Sequence, residues 1–168
     1  MGFETFRVEL RGGKAKFAEA DETVRKLPHM KPDPHSLPTK GSTYYLFEDG
    51  LHAIELELME SPVKLSCRFT LCHPPSVDAV FLGLVRDLMS RLGMTVRICD
   101  DVPSEHAGSF PIDEFSEFSA IASRAIAARR VEWIGAFGDK PLAATTNEVY
   151  QRIIVPRCQP RVEQTSPP

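Results

Sequence analysis

The residues of this chain best suited to chemistry are three histidines and two neighbouring aspartates: His52, His73 and His106, with Asp100 and Asp101. A histidine held by a carboxylate can act as a general base or help hold a divalent metal, because imidazole changes charge near neutral pH. Hydrolysis or group transfer is the chemistry of such a pair. A metal needs three or more converging ligands, and no His-x-His or His-x-x-x-His spacing supplies them. Cys67, Cys72, Cys99 and Cys158 form no Cys-x-x-Cys pair and no zinc spacing. Cys72-His73 sets a nucleophile beside a base, yet neighbours on a strand point to opposite faces, so the two make no dyad. Glu55 and Glu57 imitate paired carboxylates, but Lys64 and Arg68 on the next strand make structural ion pairing the better account. No metal and no cofactor is expected.

The stretch from Thr43 to Asp100 supplies the elements that must position most of these groups. Asp49-Gly50 between two β-rich runs predicts a two-residue hairpin loop, since both residues tolerate positive φ. In that register Glu48 faces Leu51, Phe47 faces His52 and Tyr45 faces Ile54. Ser61-Pro62 predicts the next turn, pairing Leu58 with Leu65, Leu56 with Cys67 and Ile54 with Phe69. Both turns put Tyr45, Phe47, Ile54, Leu56, Leu58, Leu65, Cys67 and Phe69 on one dry face. Glu55, Glu57, Lys64, Ser66 and Arg68 fall on the other, wet face. Ser76 reads as a helix N-cap, Val77, Val80, Phe81, Leu84, Leu88 and Leu92 as one apolar stripe, and Gly93 as the left-handed stop. Thr95 to Cys99 reads as a strand reached by a crossover.

Upstream, Phe3 to Leu10 alternates as a first strand, and Phe17, Ala20, Val24 and Leu27 recur at helical spacing. Residues 28–42, with Pro28, Pro32, Pro34, Pro38 and Gly41, read as a long loop. Downstream, Asp113 to about Arg130 is a helix, acidic at its start and basic at its end through Arg124, Arg129 and Arg130. Thr145 and Glu148 form a capping box for a last short helix ended by Pro156. Residues 1–155 therefore read as a single α+β domain and 156–168 as a disordered tail. The element order β-α-β-β-β-α-β implies a mixed five-stranded sheet, ferredoxin-like or effector-binding-domain-like, with helices on one face and two C-terminal helices.

Composition bounds the function. The chain has 168 residues and a formal net charge of -3, with no basic stripe, so no nucleic-acid partner is expected. No apolar run of about 18 residues exists, so no membrane partner is expected either. The N-terminus shows no signal-peptide pattern and the thiols no disulfide framework, which points to a cytoplasmic location.

If the first strand runs parallel to the second, four of five strands end at one edge of the sheet. That edge gathers Arg11, Glu48, Asp49, His52, Cys72, His73, Asp100 and Asp101, together with Gly12-Gly13 and the N-terminus of the Ser76 helix as anion-binding backbone, with His106 in the connection that follows. Ligand crevices favour the carboxyl ends of parallel strands. The expectation is a non-catalytic cytoplasmic domain that binds a protein partner or small ligand through that edge or the wet face, homodimerisation being the self-association option. The alternative is a small hydrolase or transferase using a His-Asp pair, His73 or His106 with Asp100 or Asp101.

Overall fold

In the computed structural model, which describes residues 5–34, 36, 39–99 and 108–158, the chain forms six strands and the helices that cover them. In order these are β1 (Thr5–Arg11), α1 (Phe17–Arg25), β2 (Met30–Pro32), β3 (Ser42–Glu48), β4 (Ala53–Glu60) and β5 (Val63–Thr70). Then come α2 (Val77–Leu92), β6 (Thr95–Ile98), a 3-10 turn (Ile112–Glu114), α3 (Phe115–Phe137) and α4 (Thr146–Val149). A π-helical turn (Tyr150–Ile154) and α5 (Val155–Cys158) prolong α4, so Pro156 lies within a helical turn and does not end the helix as expected; residues 159–168 of the expected tail lie outside the described residues.

The sheet order is β2-β3-β4-β5-β1-β6, and every neighbouring pair is antiparallel. This corrects the expected mixed five-stranded sheet. The cause lies in the proline-rich stretch, where Met30, Lys31 and Pro32 pair with Phe47, Leu46 and Tyr45. Proline lacks an amide donor and is tolerated on an edge strand, so this short segment can close the sheet where a central strand could not. Its presence adds one reversal of direction. The crossover from β1 through α1 lands on β2, and β3 consequently runs against β1. The β5-α2-β6 crossover does join two strands of like direction, with β1 inserted between them.

The two faces fall where the alternation puts them. Phe6, Val8, Leu10, Tyr45, Ile54, Leu56, Leu58, Leu65, Cys67 and Phe69 are buried on the dry face. Val24 of α1 and Val77, Phe81, Val85 and Leu88 of α2 pack on them. Phe6, Phe69 and Phe81 form a triangle of rings with centroids 6.1, 5.9 and 4.8 Å apart. Outside α2, the helix α3 buries Phe118, Ile121, Ala122, Ile126 and Trp133. It runs through Gly135 to Phe137, beyond the expected end near Arg130. Not every helix is on the dry side: the Thr146 amide of α4 bonds to Glu55 on the wet face at 2.9 Å.

Two glycines are required by geometry. Gly93 ends α2 at φ 61°. Gly13 lies where an added Cβ would meet the Leu92 carbonyl oxygen at 2.6 Å and Met94 Cγ at 2.8 Å. Gly13→Ala should therefore lower stability by about 1–3 kcal/mol through overpacking against backbone. Phe81→Ala should cost about 3–5 kcal/mol by opening a void in the aromatic triangle. Urea unfolding at constant m-value checks both; equal stability of Phe81→Ala and wild type would refute this description of the core.

Candidate functional site

The first hairpin differs from its expected register. Glu48 pairs with Ala53, Phe47 with Ile54 and Tyr45 with Leu56, so the loop holds four residues and not two. The Asp49 side chain is the reason. Its Oδ1 accepts hydrogen bonds from the amides of Leu51 at 2.9 Å and His52 at 2.8 Å, which stabilises the wider turn. A shift of two residues keeps every side chain on its face, so the dry face survives unchanged. What changes is His52, which leaves the ladder and turns its ring toward the helix start.

His52 is 5 % exposed and sits between two partners. Its Nδ1 lies 2.9 Å from Asp49 Oδ2 and its Nε2 lies 2.8 Å from Ser76 Oγ. Burial alone would raise the Asp49 carboxyl, but hydrogen bonds from the His52 ring and from the Leu51 and His52 amides outweigh it and hold the group at about 2. An ionised carboxylate can only accept, so Nδ1 donates to Asp49, and in the tautomer with a single proton Nε2 is left to accept from the Ser76 hydroxyl. Ser76 occupies the N-cap position of α2 without capping it: no helix amide bonds to its side chain. The hydroxyl serves the imidazole instead.

His73 is 2 % exposed and has a different environment. The Ala53 amide donates to its Nε2 at 3.0 Å. Its Nδ1 faces the Thr70 carbonyl at 3.0 Å and the Thr70 hydroxyl oxygen at 2.8 Å. Burial, helped by the charge of Arg130 and opposed by the Thr70 carbonyl and the Asp49 carboxylate, pushes its pKa down to about 4. Both nitrogens are occupied within the protein, which makes this ring a neutral fastener between β4 and β5. Cys72 beside it is raised by burial and directs its thiol to the Leu142 carbonyl at 3.4 Å. A strap formed by Leu142 and Ala144 closes over this edge, through the Leu142 amide to the Cys72 carbonyl at 2.8 Å and the Thr70 hydroxyl to the Ala144 carbonyl at 3.0 Å.

The residues expected at one edge are thus only partly together. His52 and His73 share the edge where β3, β5 and β6 end. Arg11 is at the opposite edge, paired with Lys64 and Thr95 at the starts of β5 and β6, because β1 runs against those strands. Asp100, Asp101 and His106 lie outside the described residues. Asp49 and the start of the Ser76 helix fall at the expected edge, but neither residue is singled out by the sequence beyond its turn and cap signals. The Asp49-x-x-His52 spacing could have suggested a carboxylate-imidazole pair, but nothing local links either residue to Ser76. Among the described residues no group of three or more His, Cys, Asp or Glu side chains converges as a metal site, and no helix is long and apolar enough to cross a membrane.

Comparison with known proteins adds no analogy. No protein-family model, curated protein or solved structure matches the chain.

The wet face completes the picture. Across β5, β1 and β6 it carries Lys64, Arg68, Arg7, Arg11 and Arg97 against a single carboxylate, Glu9. Across β2, β3 and β4 it carries Lys31 against Glu48, Glu55 and Glu57. The face is split into a basic half and an acidic half. Glu9 accepts from Lys64 at 3.2 Å and pairs with Arg97 at 3.0 Å; Glu55 accepts from Arg68 at 3.0 Å. Glu57 accepts from Ser42 and Tyr44 at 3.1 and 3.2 Å. Over the acidic half, the α4 segment borders two cavities of about 250 and 300 Å³ that share Thr145, the first closed on its other side by Lys31 and Pro34 and the second by Asp33 and Ser36. His52 lines the first and Arg68 the second.

The buried neutral His73 gives a signed pH dependence. Its folded pKa lies below the ordinary 6.5, so its contribution is complete above about pH 6.5 and is lost as pH falls toward 4, where it levels off. The loss amounts to about 3 kcal/mol over that window. Denaturant unfolding from pH 7 to 4 should show this slope, and His73→Gln, though less stable at pH 7, should flatten it. Parallel curves for the two proteins would contradict the assignment.

Proposed function

We propose that this chain is a binding domain whose basic half-face receives an acidic surface of a partner protein. The observation that carries the reading is the clustering of Lys64, Arg68, Arg7, Arg11 and Arg97 on three adjacent strands whose only wet-face carboxylate is Glu9, with Glu55 reaching Arg68 from β4, in a chain of net charge -3. Such concentration costs self-repulsion within the fold, and complementary charge on a partner relieves it. Arg7 and Arg11 are exposed. They stand about 13 Å apart along β1, and β5 to β6 spans about 10 Å. A small anion cannot reach all of these groups at once, whereas a protein surface can. Among the described residues, β1, β5 and β6 place no aromatic side chain on this face for base stacking, and the net negative charge opposes a polyanion, which favours protein over nucleic acid.

The split crossovers β1-α1-β2 and β5-α2-β6, with α1 and α2 on one face, support an enlarged ferredoxin-like arrangement for the architecture. That class hosts many unrelated functions, so the assignment rests on the charges and not on the fold.

Affinity capture with the purified chain, followed by crosslink mapping, tests the proposal. The expected result is an acidic protein whose crosslinks fall on β1, β5 and β6, whose binding weakens as salt rises, and whose affinity drops about tenfold or more with Arg7→Glu plus Arg11→Glu, or roughly 1.4 kcal/mol. A partner indifferent to those changes, crosslinks to α1 and α2, or equal or tighter binding of duplex DNA or RNA would overturn it.

A further inference from the structure

We propose that Ser76 is the nucleophile of an acyl-transfer site, with His52 as its general base and Asp49 as the residue that orients the imidazole. The inference is separate from partner binding and rests on other residues.

Three side chains from two elements form an unbroken relay. Asp49 and His52 come from the β3-β4 turn, Ser76 from the start of α2, and the two links measure 2.9 and 2.8 Å. The carboxylate fixes the ring with its proton on Nδ1, which leaves Nε2 free to take the proton of the serine hydroxyl. This is the arrangement that activates a serine, and it is recognised by geometry and not by chain order. His73, with both nitrogens bound inside the core and no hydroxyl beyond the one on its own strand, offers no such arrangement.

The position of Ser76 fits the role. A serine at a helix N-cap ordinarily accepts from a first-turn amide, and here it does not. Ser76 is exposed while its base is 5 % exposed, so a substrate can reach the nucleophile and water is largely kept from the imidazole. The sixteen-residue helix α2 brings its positive end to the same point, although its Val77 and Asp78 amides already bond to the Pro74 and Pro75 carbonyls at 3.0 and 3.2 Å, so its contribution to a developing negative charge is that of the helix dipole. Asp78 in the first turn would oppose that charge, but Arg130 clamps its carboxylate in two contacts of 3.0 and 2.5 Å.

The substrate class is a carboxylic ester, and water is the second reactant. Ser76 Oγ bonds to the ester carbonyl carbon as its proton passes to His52 Nε2. The tetrahedral adduct collapses, the carbon-oxygen bond to the alcohol breaks, and the alcohol leaves with the proton from Nε2. Water then attacks the acyl-serine, gives one proton to Nε2, and releases the acid as that proton returns to Ser76 Oγ.

A fluorophosphonate probe and p-nitrophenyl acetate test this on the whole chain. The expected result is a single phosphonyl adduct mapped to Ser76, together with ester hydrolysis. Ser76→Ala, an exposed change that should fold, should lose both. Asp49→Asn and His52→Gln should slow labelling by a hundredfold or more, with circular dichroism and thermal melting confirming that each is folded. No adduct, an adduct on another residue, or labelling of Ser76→Ala at the wild-type rate would overturn the proposal.

Discussion

Asp49 accepts hydrogen bonds from two backbone amides of its own turn and from the ring of His52, and much of the upper edge depends on that one carboxylate. It widens an Asp-Gly loop from two residues to four, releases His52 from the β3-β4 ladder, and aims the ring at the first residue of α2. The hairpin and the helix that covers it are thereby tied at their ends as well as through the core. The low pKa of Asp49 reflects the same bonds: each hydrogen bond that favours the turn also favours the ionised carboxylate.

Strict alternation explains why so polar an upper side coexists with a complete core. The strands give most of their apolar residues to the face covered by α1 and α2, Leu46 of β3 being buried on the other, so their charges share the remaining face. Arg7, Glu9 and Arg11 alternate with Val8 and Leu10 on β1, and Lys64, Ser66 and Arg68 alternate with Leu65 and Cys67 on β5. Ion pairs at Glu9 and Glu55 hold some of these charges, and such partly exposed pairs contribute little stability each. Their arrangement matters more for what approaches the face than for what holds it together.

The parts of the fold that follow from period and punctuation were legible in the sequence. The dry face, the α2 stripe with its Gly93 stop, and the Thr145-Glu148 capping box follow from residue spacing and are observed. The hairpin register was not, because a side chain and not the backbone preference of Asp-Gly decides the loop length. Strand β2 was not, because three residues among prolines carry no periodic signal; its omission reversed the inferred sense of β1 and moved Arg11 to the wrong edge. The Asp49-His52-Ser76 relay was only half visible. Its first link lies within one turn, while the second joins residues 24 apart that only the tertiary fold brings together.

The division of the wet face into halves has a further consequence. Positive and negative charge displaced across the strands make an electric dipole lying in the plane of the sheet, perpendicular to the strand direction. A charged body coming within a Debye length, about 8–10 Å at physiological salt, experiences a torque as well as an attraction. It is turned to one azimuth before any contact forms. Much of the rotational search that slows most associations would then be completed during approach.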